Sequence, residues 1–392
     1  MRGAEPLSRY QRGGYHPVHL GDKFHENRYL ILHKLGWGSY ATVWLARDCE
    51  APGVRYVALK FIVAQLVHAS NEIDILRHLR NELTKNPGGF EHILGFLDCF
   101  KVSGPNGIHD VIVLDVVGPS PDELREGNEE GETFVWKHAK VILKQALTGI
   151  AYIHKLGITH GDLHGSNIAF SLPQLDRLSE SAAMGYLKPP CRRPVPADAD
   201  VSSPKYLVEA SSFKNYMLEM IKQDDTQYLW SIKILDFGEA FLPEHRPREI
   251  HTPLGIRAPE IVFNVLSAGA LEQDWGSKTD IWSFGCLIYE IVTDDSLISL
   301  YDDDVNDVCT QYVRKVGPLP ERWQGIWSGS KKALKFRPFE RYLKSHYLED
   351  YRELTGDDMI DLGDLLRQIL VLDPRQRSTA RELLQHRWFA TV

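Results

Sequence analysis

The chain has 392 residues, of which 43% are hydrophobic and 25% charged, and its 53 acidic against 45 basic side chains give a formal charge of −8. That length suits two or three domains, or one two-lobed enzyme, with a large core. The acidic balance argues against general nucleic-acid binding and favours a basic partner. The five scattered cysteines make no zinc spacing or disulfide framework and point to a reducing compartment. Met1 to Tyr15 is polar and lacks the apolar core of a signal peptide. The longest apolar run, 281–292, is broken by Ser283 and Glu290 and is too short to cross a bilayer.

Residues 1–25 are expected to form an arm with little core of its own. Tyr29 to Lys34 predicts a strand. Leu35-Gly36-Trp37-Gly38-Ser39-Tyr40-Ala41-Thr42-Val43 then turns into a second strand. Gly36 and Gly38, without a Cβ, let backbone N–H groups approach a phosphate, and the same residues also suit a plain hairpin. Val57 to Ile62 is a strand carrying Ala58 and Lys60. A lysine among apolar neighbours is costly unless paired. The helix predicted over 71–80 offers Glu72, which lies beside an inward face set by Ile73, Leu76 and Leu79. Strands follow at 93–100 and 111–116, joined by a turn cluster at 102–107. Leu114, Asp115 and Val117 end this sheet at a hinge whose backbone is expected to read an adenine edge.

Thr133 to Leu156 predicts one long core helix, capped by Thr133 and closed by Gly157. It delivers His160-Gly161-Asp162-Leu163-His164-Gly165-Ser166-Asn167. A carboxylate five residues ahead of an amide, behind a histidine, is a layout for phosphoryl transfer. Asp162 can accept the proton of an attacking hydroxyl, and Asn167 can hold a metal ion on nucleotide phosphates. Residues 188–204 are rich in proline and small side chains and are expected to be a mobile linker, with a short helix at 213–222. The whole segment is expected to be a tolerated surface insertion, with a functional docking role as the alternative. A strand at 232–239 ends in Asp236-Phe237-Gly238, which places a carboxylate to ligate Mg2+. Ala258-Pro259-Glu260 would end the loop that shapes the substrate groove. Glu260, if buried, needs a cation, and Arg377 is the candidate. Asp280 opens an apolar helix and either caps it or holds the catalytic-loop backbone. Tail helices are expected at 359–372 and 380–384. Asp302-Asp303-Asp304 with Asp307 is a solvated acidic face or a dock for an Arg-rich peptide.

With these residues in this order, the chain resembles the eukaryotic protein kinases over about residues 29–389. It resembles the SR-protein kinases more closely, through Tyr15-His16-Pro17-Val18 with Gly21-Asp22, Leu35-Gly36-Trp37-Gly38, Ala41-Thr42-Val43-Trp44-Leu45 and Lys101 to Gly107. The insertion at 171–230 falls where that family carries its spacer. The resemblance implies an α+β, bilobal fold. An arm at 1–25 precedes an antiparallel-sheet lobe at 26–117 and a mostly helical lobe at 118–392. ATP is expected between the lobes, against Leu35, Gly36, Trp37, Gly38, Ala41, Val43, Ala58, Leu114, Asp115 and Val117. Lys60, paired to Glu72, holds its phosphates, and Asn167 and Asp236 bind Mg2+. Asp162 is the base, with His164 beside it. Phe237, Gly238, Thr252, Arg257, Glu260, Asp280 and Arg377 shape and support the activation segment. The implied reaction is transfer of the ATP γ-phosphate to serine of a basic, Arg/Ser-rich protein in splicing regulation. The enzyme would act as a cytoplasmic or nuclear monomer without direct nucleic-acid or membrane contact.

The chain departs from the wider kinase pattern at several points. Ala41 stands at the third glycine, which the SR-protein kinases also lack. Gly161 replaces the arginine of His-Arg-Asp, and Thr252 is the only hydroxyl side chain between Glu239 and Arg257. Activation-loop phosphorylation is therefore expected to be unnecessary, as the resemblance to the constitutively active SR-protein kinases also implies. His164 replaces a lysine, and an ordinary histidine, titrating near ~6.5, carries only partial charge at neutral pH. Pro253 occupies the usual threonine position. The His160–His164 stretch also resembles aminoglycoside and choline-type phosphotransferases, whose C-terminal halves lack Ala-Pro-Glu, the Asp280 helix and the Arg377 element. A nucleotide-binding pseudokinase is the third reading, suggested by His164 and opposed by the intact Lys60, Glu72, Asp162, Asn167 and Asp236.

Overall fold

The computed structural model describes residues 3–67, 71–83, 85, 88–172, 174–196, 200–223, 231–271, 275–300, 304–327, 329, 343 and 356–390. The chain divides into two compact units.

The first unit comprises residues 1–82, 94–119 and 169–230. Its centre is a six-stranded sheet of β1 (Lys23–Phe24), β2 (Tyr29–Trp37), β3 (Ala41–Asp48), β4 (Tyr56–Ile62), β5 (Phe96–Gly104) and β6 (Gly107–Leu114), in the order β1-β2-β3-β4-β6-β5. All neighbours are antiparallel. β2 continues past the predicted Lys34 because Gly36 and Trp37 still pair with Val43 and Thr42. The β5–β6 hairpin closes tightly, with Gly104 opposite Gly107, so both strands run further into the 102–107 turn cluster than predicted. On one face, Trp44, Leu59, Phe61, Val111 and Val113 join Tyr29 and Ile31 in a buried core. The helix α1 (Glu72–Glu82) follows. It buries Glu72, Ile75, Leu76 and Leu79, so Ile75 carries the inward face where Ile73 was expected.

One expected boundary differs. Residues 169–230 belong with the sheet, not with the helical part of 118–392. Leu175, Ala183, Leu187, Phe213 and Tyr216 are buried against Leu45 and Tyr56 of the sheet. The Tyr56 amide donates to Asp176 Oδ1 at 2.8 Å. Within the expected linker, Arg192–Pro194 pairs with Tyr206–Val208, and Val208 enters the sheet core. The helix expected at 213–222 is present as Lys214–Lys222. The arm at 1–25 has little core of its own, as expected: its Tyr10 and Tyr15 are buried against Val63, which lies outside it.

The second unit comprises residues 83–93, 120–168 and 231–392 and is mostly helical. The single helix predicted over 133–156 is two, Glu129–Lys137 and Ala139–Lys155, split at His138. Asn128, not Thr133, caps the first by accepting from the Gly131 amide. Gly157 ends the second at φ +77°. Helix Ser277–Thr293 is buried over nearly its whole length. The tail helices are Gly356–Ile369, set three residues earlier than predicted, and Ala380–Leu383, whose Thr379 and Glu382 form a capping box. Among the described residues, no helix is long and apolar enough to cross a membrane.

Candidate active site

In the sheet unit, the glycine-rich turn joins β2 to β3, and the Gly38 amide donates to Ala41 O at 2.9 Å. Neither Gly36 nor Gly38 has a left-handed φ, and a Cβ added to either meets no atom within 4 Å. The hairpin itself therefore does not require glycine at these positions. Glycine at both positions leaves the backbone open to close approach.

Strand register sets the surface beneath this turn. Val43 lies opposite Lys60, and Ala58 lies opposite both Leu45 and Leu114. Side chains two apart share a face of a strand, so Val43, Ala58, Lys60 and Leu114 share the face turned from the Trp44–Phe61 core. Lys60 Nζ donates to Glu72 Oε1 at 2.7 Å and Oε2 at 2.9 Å. The two side chains are only 11% and 4% exposed, so each charge is tenable because of the other. At the hinge, the Asp115 amide donates to Gly95 O at 3.0 Å, and Val117 forms an antiparallel bridge with Ser171.

In the helical unit, Asp280 organises the catalytic loop. Its Oδ2 accepts from the His160 amide at 2.8 Å and its Oδ1 from the Gly161 amide at 2.9 Å. His154, which carried no sequence signal for the role, adds its Nε2 to Asp280 Oδ2 at 2.8 Å. Asp280 is not a helix cap: Gly276 holds that position. His160 donates from Nε2 to Leu235 O at 2.8 Å, and its ring lies 5.1 Å from that of Phe237. The Leu235 amide donates to Asn167 O at 2.9 Å. These bonds tie the catalytic loop to Asp236-Phe237-Gly238. Asp236 takes a left-handed φ of +56°, and its Oδ1 accepts from the Gly238 amide at 3.2 Å.

Asn167 Nδ2 donates to Asp162 O at 2.8 Å and to Asp162 Oδ2 at 3.4 Å. The amide nitrogen is thus committed, and Oδ1 is the end of Asn167 that can ligate a cation. His164 accepts from the Ser166 amide at Nδ1, which leaves its proton on Nε2, 3.6 Å from Asp162 Oδ2. Asp162 Oδ1 is buried and, among the described residues, has no hydrogen-bond partner. The Asp162 side chain as a whole is 25% exposed, so solvent reaches the carboxylate through Oδ2.

The activation segment is anchored by side-chain hydrogen bonds and one ion pair. Thr252 Oγ1 donates to Gly161 O at 2.6 Å. Arg257 Nε donates to Thr252 O at 2.9 Å, and Tyr312 OH donates to Arg257 O at 2.6 Å. Glu260 takes a bidentate pair from Arg377 at 2.9 and 3.0 Å. Asp302 and Asp303 lie outside the described residues, while Asp304 caps the helix Val305–Lys315.

The protein kinase domain family matches residues 29–176 and 214–389, leaving out part of the insertion. The serine/threonine-protein kinase SRPK of Physarum polycephalum is 27% identical over 98% of this chain and 90% of its own. Protein kinase dsk1 of Schizosaccharomyces pombe is 24% identical over 98% and 84%. Human SRSF protein kinase 3 is 38% identical over 41% of this chain and 28% of its own. The solved kinase domain of PF14_0431 aligns with a TM-score of 0.58 at 19% identity, covering 96% of this chain and 98% of that one, a likeness in fold. The chain belongs to the protein kinase domain family, and it is a protein serine/threonine kinase of the SRPK-like kind.

Proposed function

We propose that this kinase transfers the γ-phosphate of ATP to serine in Arg/Ser-rich proteins, with Asp162 as the base. The Asp162 carboxylate, held by Asn167, with His164 beside it and its own side chain 25% exposed, carries this reading. It is the base within reach of a substrate hydroxyl. The serine O–H proton passes to this carboxylate as the hydroxyl oxygen bonds to the γ-phosphorus, and the bond from that phosphorus to ADP breaks. The Nε2–H of His164 faces the same carboxylate and is placed to help hold the transferred group.

The residues present fit Mg2+ and ATP. The open space beside Gly36 and Gly38 admits phosphate to the backbone, and Lys60, fixed by Glu72, presents its ammonium to it. Leu35, Ala41, Val43, Ala58 and Leu114 supply apolar surface for the nucleotide, with the Asp115–Val117 backbone for the base. Trp37, expected in this set, pairs with Thr42 and donates to Gly3 O, so it lies on the opposite face, toward the arm. Asn167 Oδ1 and Asp236 would hold Mg2+, which when bound neutralises phosphate charge. The Arg/Ser preference is supported by the formal charge of −8 and by relatives named as SRPK and SRSF protein kinases.

The test is transfer from radiolabelled ATP by purified protein to an Arg/Ser-repeat peptide, a generic basic protein and an aminoglycoside, with Asp162→Ala as blank. Label on the serine peptide, absent in the blank, is expected. Label on the aminoglycoside, or equal label on both proteins, would overturn the substrate assignment. Label that persists in the blank would remove Asp162 from its role.

A further inference from the structure

Residues 3–15, within the arm at 1–25 expected to have little core of its own, grip the glycine-rich turn from outside. Tyr15 OH donates to Gly38 O at 2.6 Å. Arg9 donates to Ser39 O, and Trp37 Nε1 donates back to Gly3 O at 3.3 Å. Tyr15 is 1% exposed, edge-on to Tyr10 and beneath the Arg9 guanidinium, 5.2 Å from its ring centre.

The arm is itself fixed. The Gly13 amide donates to Asn106 O at 2.8 Å, and the Gln65 amide donates to Gly13 O at 2.9 Å. Asn106 Nδ2, from the β5–β6 turn, donates to Tyr15 O at 2.6 Å. Glu5 pairs with the fully buried Lys34, two residues ahead of Gly36. A Cβ at Gly14 would lie 2.0 Å from Arg9 O, so the arm's own fold requires glycine there. Tyr15 therefore projects from a rigid base.

A trans peptide is planar, and its C=O and N–H point in opposite directions. Holding Gly38 O and Ser39 O toward the arm aims the N–H groups of Ser39 and Tyr40 away from it. We propose that Tyr15, helped by Arg9, is a positioning residue for ATP, presetting the glycine-rich backbone so that these N–H groups meet the phosphates without first being ordered. This rests on the reading of the glycine-rich turn as the phosphate cover. A turn already ordered spares the ordering cost of binding, so the effect falls on nucleotide affinity, not on phosphoryl transfer.

The variants are Tyr15→Phe, which keeps the ring and removes the hydroxyl, Arg9→Gln, and Gly38→Val. The readouts are KM for ATP and kcat on an Arg/Ser-repeat peptide, Kd for Mg2+-AMP-PNP, and Tm. Tyr15→Phe is expected to raise KM and Kd by about threefold to tenfold, the range for one lost hydrogen bond. Its kcat should stay within about twofold, and its Tm within about 2 °C. Arg9→Gln should act in the same direction if Tyr15→Phe folds poorly. Gly38→Val tests the cover. If it raises Kd while both arm variants leave Kd unchanged, the arm proposal fails and the cover stands. If Gly38→Val also leaves Kd unchanged, the cover fails and the arm proposal with it. A lower Tm and kcat at constant KM would make the arm merely structural and overturn the proposal.

Discussion

Thr252 Oγ1 donates to the backbone oxygen of Gly161 across 2.6 Å. Thr252 is 2% exposed, and its hydroxyl is the only one between Glu239 and Arg257. It is spent on anchoring the segment to the catalytic loop and is closed to a phosphorylating enzyme. Phosphatase-treated protein is therefore expected to phosphorylate its peptide at the untreated rate. Thr252→Val, which leaves Gly161 O unpaired at a cost of about 1–3 kcal/mol, should lower activity at least tenfold, and Thr252→Ser should retain it. A rate that falls with phosphatase would refute the anchoring account.

Gly161 explains why an arginine is absent at this point. Its φ is +79°, and an added Cβ would lie 2.7 Å from Glu239 O, a backbone atom that cannot swing aside. Gly161→Ala should lower stability by about 1–3 kcal/mol, and Gly161→Arg should do the same without making activity depend on phosphate. The measurement is Tm and peptide kinase rate before and after phosphatase. A fully stable Gly161→Arg enzyme would mean the loop yields more readily than its geometry implies.

The candidate site residues were legible because each motif is local. The run from His160 to Asn167, the Asp236-Phe237-Gly238 turn and the strand carrying Lys60 are each specified by near neighbours. Glu72 could be chosen by helical phase, although Ile75 and not Ile73 proved to define the inner face. What escaped was long-range. Tyr56 meets Asp176 across 120 positions, and Tyr15 meets Gly38 across 23. Periodicity reports which face is apolar, not which distant segment covers it. Isolated tyrosines in a glycine-rich arm, and a proline-rich stretch that contributes short strands, carry no period at all. The break at His138 likewise lacks the glycine or proline that would mark it.

Among the described residues, Arg377 and Glu260 form the most enclosed ion pair of the helical unit, with side chains 0% and 2% exposed. Arg377 also donates to Val371 O at 2.9 Å. Removing either partner strands the other charge in a dry site. Arg377→Met is expected to cost about 3–5 kcal/mol, read from urea unfolding. Adding Glu260→Met should recover part of the loss, because a buried pair replaced by apolar groups can be nearly neutral. Losses that simply add would show that the two side chains do not act as a pair.

The arm also sets a pH limit. His16 is 7% exposed, stacked on Phe61 at 5.7 Å and 4.9 Å from His109, and its Nδ1 has no partner among the described residues. Burial, and then the neighbouring His109, lowers its pKa to about 4, against a weaker upward pull from Asp22, while His19 adds a further small lowering. The unfolded chain titrates near ~6.5. Between these values the unfolded state binds more protons, so stability rises with pH through that window and is lost as pH falls from about 6.5 toward 4. The difference of about 2.5 units corresponds to about 3 kcal/mol from His16 alone. His109, also lowered by burial, works in the same direction. His16→Phe keeps the aromatic contact and removes the proton site. Its unfolding free energy should therefore fall less between pH 8 and pH 4.5 than that of the natural sequence. Parallel pH profiles for the two proteins would remove His16 as a source of the acid sensitivity.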